Sequence, residues 1–278
     1  MRAIPVFMYH HINRHVGDLV TLTPEDFENH LWVLRHRNFR TLFLDELIQL
    51  LRGKELSFHP SVALTFDDGH LDNWVYAFPL LKKYRIKATI FVITSWMGEG
   101  EVRPQWNPEG QGVLPEIPRH REVKRRAGLG DLTVALNWEE ARAMEASGLV
   151  DIQSHTHFHR DYFLAGGEAP KLDPAQKNLS QDDLSRSKDL IEERMKKRCR
   201  YLSWPWGKYD LEALSVAKEL GFDATVTTEK GVNFPGSNEM IIKRIVAKSG
   251  DKGWFSKRLS IYSHRGMGQI YSRIAGRI

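Results

Sequence analysis

Short apolar runs alternate along this chain with longer amphipathic stretches, and that alternation constrains the fold more than any other feature. Strands joined through helices run parallel, and a parallel sheet needs both faces covered, so the pattern predicts a mostly parallel sheet wrapped by helices. The expected strands are Ile4–Tyr9, Ser61–Phe66, Ala88–Ile93, Leu149–Gln153 and Tyr201–Trp204, followed by 223–227 and 240–246. Seven strands in 278 residues fit an α/β fold of the distorted (β/α) barrel type, expected as a single domain over 1–278.

The intervening helices carry their own punctuation. Thr23 caps a helix with Pro24 in its first turn, and Phe27, Leu31 and Leu34 give it one apolar face. A second helix is expected from Asp45 to about Gly53, and another carries Trp74, Phe78 and Leu81. Asn137-Trp138-Glu139-Glu140 has the form of a capping box for a helix that stops at Gly148. Further helices are expected from Ser180 to near Cys199 and from Asp210 to Gly221. Residues 97–135, rich in Gly, Pro and charge, read as one long insertion that either shapes a substrate groove or lacks order.

Composition excludes more than it selects. The formal net charge is only +5, and much of the excess sits at Arg119, Arg121, Lys124, Arg125 and Arg126. That cluster reads as a solvated loop, the sharper alternative being attraction to an anionic polymer or membrane surface. No nucleic-acid-binding module is recognisable, so no nucleic-acid partner is expected. Cys199 is the only cysteine, which rules out an internal disulfide and a multi-cysteine zinc cluster. The apolar start is broken by His10 and His11, too early for a signal-peptide core, and no run approaches the ~18 apolar residues of a membrane helix. A cytoplasmic protein is one expectation; an exported protein trimmed of its leader would look the same.

Three expected strands end in chemically capable residues, at the edge where barrel-like α/β enzymes carry their sites. The first runs into Thr65-Phe66-Asp67-Asp68-Gly69. Adjacent carboxylates there are either helix-capping aspartates in a turn or a pair relieved by a cation or a shared proton. The second delivers Ser154-His155-Thr156-His157-Phe158-His159. His155 and His159, four apart, would point the same way in a helical turn and grip one ion, while His157 falls out of phase. Two histidines and one carboxylate leave coordination positions open, as metal hydrolases require. The third ends in Trp204-Pro205-Trp206-Gly207, whose indoles are either core or, exposed at a site mouth, suited to the apolar faces of a sugar.

Taken together and in this order, these segments resemble the polysaccharide deacetylase family, also called the NodB homology domain or carbohydrate esterase family four. The resemblance runs from about residue 4 to 245, with T-F-D-D-G at 65–69, H-S/T-x-x-H at 155–159, and Trp204-Pro205-Trp206-Gly207 in the place of the third motif. It implies Asp67 as general base, and Asp68, His155 and His159 as ligands of one divalent ion. Zinc is the first expectation, with cobalt, nickel, manganese or iron able to fit. It also implies the Trp206 backbone N–H as an oxyanion donor, with Trp204, Pro205 and Trp206 on the substrate side. Two departures stand out. The family arginine that orients the base falls at Ser203, leaving Arg244 as a candidate substitute, and the family's late L-x-x-H motif has no convincing counterpart after the others. Phe7-Met8-Tyr9-His10 has that pattern at the start, which resembles a branch with circularly permuted barrel strands that includes poly-N-acetylglucosamine deacetylases. His10 is therefore expected as general acid, with His11 facing away; His264 imitates the last motif but lies in what reads as a basic amphipathic surface helix.

The expected function is metal-dependent hydrolysis of the acetamide of an N-acetylated oligo- or polysaccharide. The alternatives are a C–N hydrolase acting on a small non-sugar amide and a non-catalytic carbohydrate-binding barrel.

Overall fold

A computed structural model of the chain describes residues 2–15, 17–54, 59–107, 110, 113–163, 174–249 and 252–275. The chain opens with β1 (Val6–Tyr9) and a two-residue ladder of β2 (His11–Ile12) with β3 (Thr21–Leu22). There follow α1 (Pro24–His36), β4 (Arg40–Leu42), α2 (Leu44–Leu51) and β5 (Ser61–Phe66). A π-helical turn, Asn73–Ala77, leads into α3 (Phe78–Tyr84) and β6 (Ala88–Val92). Then come α4 (His120–Gly128), α5 (Trp138–Ala146), β7 (Val150–Ser154) and α6 (Pro174–Met195). The last part holds β8 (Tyr201–Ser203), α7 (Leu211–Glu219), β9 (Ala224–Val226), β10 (Ile245–Val246), α8 (Lys252–Tyr262) and α9 (Arg265–Ala275).

Seven strands form one curled parallel path, β10-β1-β5-β6-β7-β8-β9, with β4 paired on the first half of β5. The result is a half-barrel, as the strand–helix alternation predicts. The first strand does not sit at an edge. It lies between β10 (Phe7 opposite Ile245) and β5 (Val6 opposite Ala63), which places β1 directly beside the strand that leads to Asp67.

Strand periodicity sorts the buried residues into two layers. Phe7, Tyr9, Leu64, Phe66, Ile90 and Val92 join the outer core, where they meet Phe27 and Leu31 of α1, Leu81 of α3 and Phe255 and Leu259 of α8. Val6, Ala63, Phe91, Tyr201, Val226 and Ile242 face the inside, closed by Leu44, Leu47, Ile48 and Leu51 of α2. Extending that inward parity past the strand ends gives His10, Asp67, His155, Ser203 and Arg244. A two-residue period thus aims groups from five segments at one place.

Several sequence expectations need correction. Residues 97–135 are not one unstructured insertion: their described part holds α4 and a 3-10 turn at Leu132–Val134, with residues 108, 109, 111 and 112 outside the described set. The basic cluster is helical because Val123 and Ala127, four apart, bury against Val134 and turn the charges outward. The long helix begins at Pro174 rather than Ser180, and the start of the helix carrying Trp74 is π-helical. In α8, Phe255, Leu259 and Tyr262 are buried in the outer core, so this helix packs the barrel rather than lying as a basic surface element.

One packing feature has a pH consequence. His30 on α1 is buried, stacked on Phe255 at 4.1 Å, with Nδ1 3.1 Å from the Tyr9 hydroxyl. Burial pushes its pKa down to about 3. An unfolded histidine binds its proton near ~6.5. Between those values unfolding takes up a proton, so stability falls as pH drops from about 6.5 toward 3, by up to ~1.4 kcal/mol per pH unit for this one group. Urea midpoints should be lower at pH 5 than at pH 7, and His30→Gln, which keeps an acceptor for Tyr9 without a titrating ring, should remove one proton's worth of that slope. An unchanged slope in the variant would show that His30 is not the group responsible.

Candidate active site and metal centre

The end of β5 is where the backbone stops being regular. Asp67 continues the strand parity, but Asp68 adopts φ 73° and Gly69 φ 68°, which turns the second carboxylate out of line with the first. A Cβ on Gly69 would lie 2.8 Å from Val92 Cγ1, so only glycine fits the turn. The adjacent aspartates therefore face different partners, the precondition for different roles.

Asp67 is gripped by Arg244. The guanidinium donates Nη1–H to Oδ1 and Nη2–H to Oδ2, each at 2.7 Å, and both side chains are buried. Arg244 is fixed in turn by the Thr227 carbonyl (2.8 Å) and by the hydroxyls of Thr65 (3.2 Å) and Ser203 (3.1 Å). Burial alone would raise the Asp67 carboxyl, but Arg244, His155 and His10 together hold it below the usual carboxylate range. The arginine missing from the third motif is thus replaced in space by one from just before β10, with the Ser203 hydroxyl completing the contact (3.3 Å to Asp67 Oδ1).

Asp68 faces imidazoles. His155 Nε2 lies 3.3 Å and His159 Nε2 3.6 Å from its Oδ1, and His70 Nε2 lies 3.1 Å from its Oδ2. Burial works to raise the Asp68 carboxyl, yet His155 and His70 bring it well below its ordinary value. His155 Nδ1 donates to the Ser203 carbonyl at 2.8 Å, which fixes the tautomer and turns Nε2 inward. With metal–ligand bonds of ~2.0–2.2 Å, tetrahedral ligands stand about 3.4 Å apart. The 3.3 and 3.6 Å separations are too long for good hydrogen bonds and right for a shared ion. Asp68, His155 and His159 accordingly fit one divalent cation, each offering a ligand atom within 4.8 Å of the others.

The two histidines converge by a route different from the expected helical turn. Thr156 (φ 65°) and His159 (φ 51°) are left-handed, and the segment is a loop. Asp183 Oδ1 on α6 accepts from the N–H groups of His157 and Phe158 (3.0 and 2.7 Å), while Thr156 Oγ1 accepts from His159 N–H (3.0 Å). With Asp68 and Trp206 (φ 55°), four non-glycine residues of this site sit in the left-handed region, each at a cost of ~1–3 kcal/mol. His157 bonds Thr94 at 2.8 Å and lies outside the Asp68–His155–His159 group.

The tryptophan motif divides. Trp204 is 3% exposed and donates its indole N–H to Thr225 (2.9 Å), so it is core and not part of the site mouth. Its parity explains this: Leu202 and Trp204 face the outer layer, opposite to Tyr201 and Ser203. Pro205 is buried and opens the turn. Trp206 is 46% exposed, lies 4.3 Å from the His159 ring between centroids, and has Lys124 of α4 over its face at 6.0 Å. Gly207 (φ 70°) is required here, because a Cβ would come within 2.1 Å of Thr228 Oγ1.

His10 follows β1 on the inward side. Asn73 Nδ2 donates to its carbonyl at 2.8 Å, and burial lowers its pKa while Asp68 and Asp67 oppose the shift. His11 turns away to Asp72, as alternation predicts. His264 is exposed and lines a wide cleft with Ile4 and Ser61 at the amino-terminal ends of β1 and β5, away from this chemistry. The sequence reading missed His70, Asp72, His120 and Asp183. His70 directly follows the aspartate motif and could have been found; the other three carry no local pattern.

Comparison with known proteins gives the family and the fold. The polysaccharide deacetylase family profile matches residues 57–225. YxkH of Bacillus subtilis (strain 168) is 28% identical over 250 residues, covering 90% of this chain and 73% of that protein. The poly-β-1,6-N-acetyl-D-glucosamine N-deacetylase of Staphylococcus aureus (strain MRSA252) is 26% identical over 228 residues, 81% of this chain and 67% of that protein. IcaB from Ammonifex degensii shares the fold with a TM-score of 0.72 at 22% identity, covering 95% of this chain and 98% of that one. The chain belongs to the polysaccharide deacetylase family, enzymes that hydrolyse carbon–nitrogen bonds other than peptide bonds.

Proposed function

We propose that the chain is a divalent-metal-dependent N-deacetylase that removes acetyl groups from an N-acetylglucosamine-containing oligo- or polysaccharide. The observation that carries this reading is the division of labour at the end of β5: Asp67 is kept ionised by Arg244, while the adjacent Asp68 faces His155 and His159. A divalent ion held by Asp68, His155 and His159, zinc in the first instance, supplies the Lewis acidity that acidifies water and polarises the acetamide oxygen. Asp67 takes a proton from the attacking water at its carboxylate. The Trp206 backbone N–H donates to the developing oxyanion, and His10 gives a proton to the departing amine nitrogen as the C–N bond breaks. Burial lowers the His10 pKa, which makes its protonated form the stronger donor.

The exposed Trp206 face beside His159 favours a sugar over a small amide, and the Arg244–Asp67 pair favours turnover over a binding-only barrel. The place of β1 between β10 and β5 supports the permuted branch, whose late histidine motif is here at the amino terminus. The substrate named for the Staphylococcus aureus relative makes β-1,6-linked N-acetylglucosamine oligomers the first to test. Purified protein should release acetate from them, lose that activity on chelation, and regain it with zinc, cobalt, nickel or manganese. Full activity in a preparation shown to be free of metal would overturn the proposal.

A further inference from the structure

Helix α4 reaches the active site from one side, and it is fixed there at two points. His120, its first residue, has Nδ1 3.1 Å from Nε2 of His11, the residue after His10. Further along, Val123 and Ala127 bury against Val134, with Trp96 packed on the same cluster. The Trp96 ring in turn stands 6.4 Å from that of His159. Lys124 follows His120 by four residues and so shares its side of the helix. Its Nζ lies over the half-exposed Trp206 ring at 6.0 Å, and that ring is 4.3 Å from His159 between centroids.

Lys124 differs from its neighbours in what surrounds its charge. Arg125 reaches Glu122 at 3.9 Å, and Arg126 is held by Glu116 at 3.2 Å and Asp131 at 2.7 Å. Among the described residues no carboxylate pairs with Lys124. Burial is the main reason that His120 and His159 hold protons less readily than usual, and the Lys124 charge adds to it at both. An uncompensated ammonium thus stands where a sugar would lie on Trp206.

The reaction gives that ammonium a use. Water adds as the C–N bond of the acetamide breaks, leaving acetate and an amine that takes up a proton near neutral pH. A neutral group on the sugar has then become a cation. Two cations side by side at a solvated surface repel by an amount worth about 3–10-fold in affinity at low ionic strength. We propose that Lys124 is a specificity-determining residue that turns away units already deacetylated, so that the site releases its product and takes up the acetylated units of a partly reacted chain. The proposal rests on the N-deacetylase reading above.

The test compares product with substrate on the metal-loaded protein at neutral pH. Acetate release gives KM for the β-1,6-linked N-acetylglucosamine pentamer and Ki for the same pentamer fully deacetylated. The ratio Ki/KM should fall about 3–10-fold in Lys124→Met at low salt. It should fall further in Lys124→Glu and be kept in Lys124→Arg. Arg125→Met removes a charge about 100° further round the same helix and should leave the ratio nearly unchanged. Raising the salt to ~0.5 M should lower the ratio in wild type and hardly move it in Lys124→Met. A Lys124→Met ratio equal to that of wild type at low salt would overturn the proposal, as would an equal fall in Arg125→Met; either result leaves the deacetylase reading standing. No acetate release by wild type with any of the metals would instead overturn that reading, and the proposal with it.

Discussion

Asp67→Asn should bind metal as wild type does and lose ~10²–10⁴-fold in kcat, the usual effect of removing a general base. Asp68→Asn should instead fail to hold the metal and lose activity with it. The two residues are adjacent and alike, so the contrast tests the geometry rather than the composition. Asp67 spends both carboxylate oxygens on Arg244 and keeps its charge through that partner. Asp68 presents Oδ1 to His155 and His159 at separations that suit a shared ion. An amide at 67 leaves the Arg244 charge without its carboxylate, so the melting temperature has to be read beside kcat. Loss of rate in a folded, metal-loaded Asp67→Asn protein is the expected result. If both variants hold metal equally and turn over normally, neither assignment stands.

Much of this was legible from the sequence, for a physical reason. Inward-facing residues recur with period two along buried strands, so the end of β5 announces itself as polar residues breaking an apolar run, and the end of β7 by the histidines that follow Ser154. Asp67, Asp68, His155 and His159 are visible that way, as is His10 at the end of β1. Trp204 was legible in the same terms and misjudged, since its parity with Leu202 already places it in the outer core. What could not be read was anything fixed by long-range approach. The convergence of His155 and His159 depends on Asp183, which sits mid-helix in α6 with no local mark. His120 reaches His11 only because α4 exists, and α4 exists because two small apolar residues inside a run of charges found a place to pack. Arg244 was a candidate from the sequence; its pairing required knowing that β10 lies beside β1 and so near the end of β5.

The second large effect is expected at Arg244. Its side chain is fully buried and donates to Asp67, Thr227, Thr65 and Ser203, so Arg244→Met removes one partner of a buried ion pair and leaves the other. Breaking such a pair commonly costs ~3–5 kcal/mol. The sign of the pH effect follows from the same contact. Burial raises the Asp67 carboxyl and Arg244 lowers it, the balance in the intact protein being a lowered pKa. Without Arg244 the burial effect is unopposed on that side, the base stays protonated to higher pH, and the acid limb of the rate profile moves upward. At neutral pH the rate should fall by at least ~10²-fold. Arg244→Lys should recover little, because an ammonium group cannot reproduce the two parallel bonds to the carboxylate. The double variant Arg244→Met with Asp67→Asn separates stability from catalysis: with no charge left unpaired it should unfold at higher denaturant than Arg244→Met alone, yet stay inactive. If the double variant is no more stable than the single one, the pair is not what makes Arg244 necessary. If Arg244→Met keeps the wild-type acid limb, Asp67 is not the base that this arginine serves.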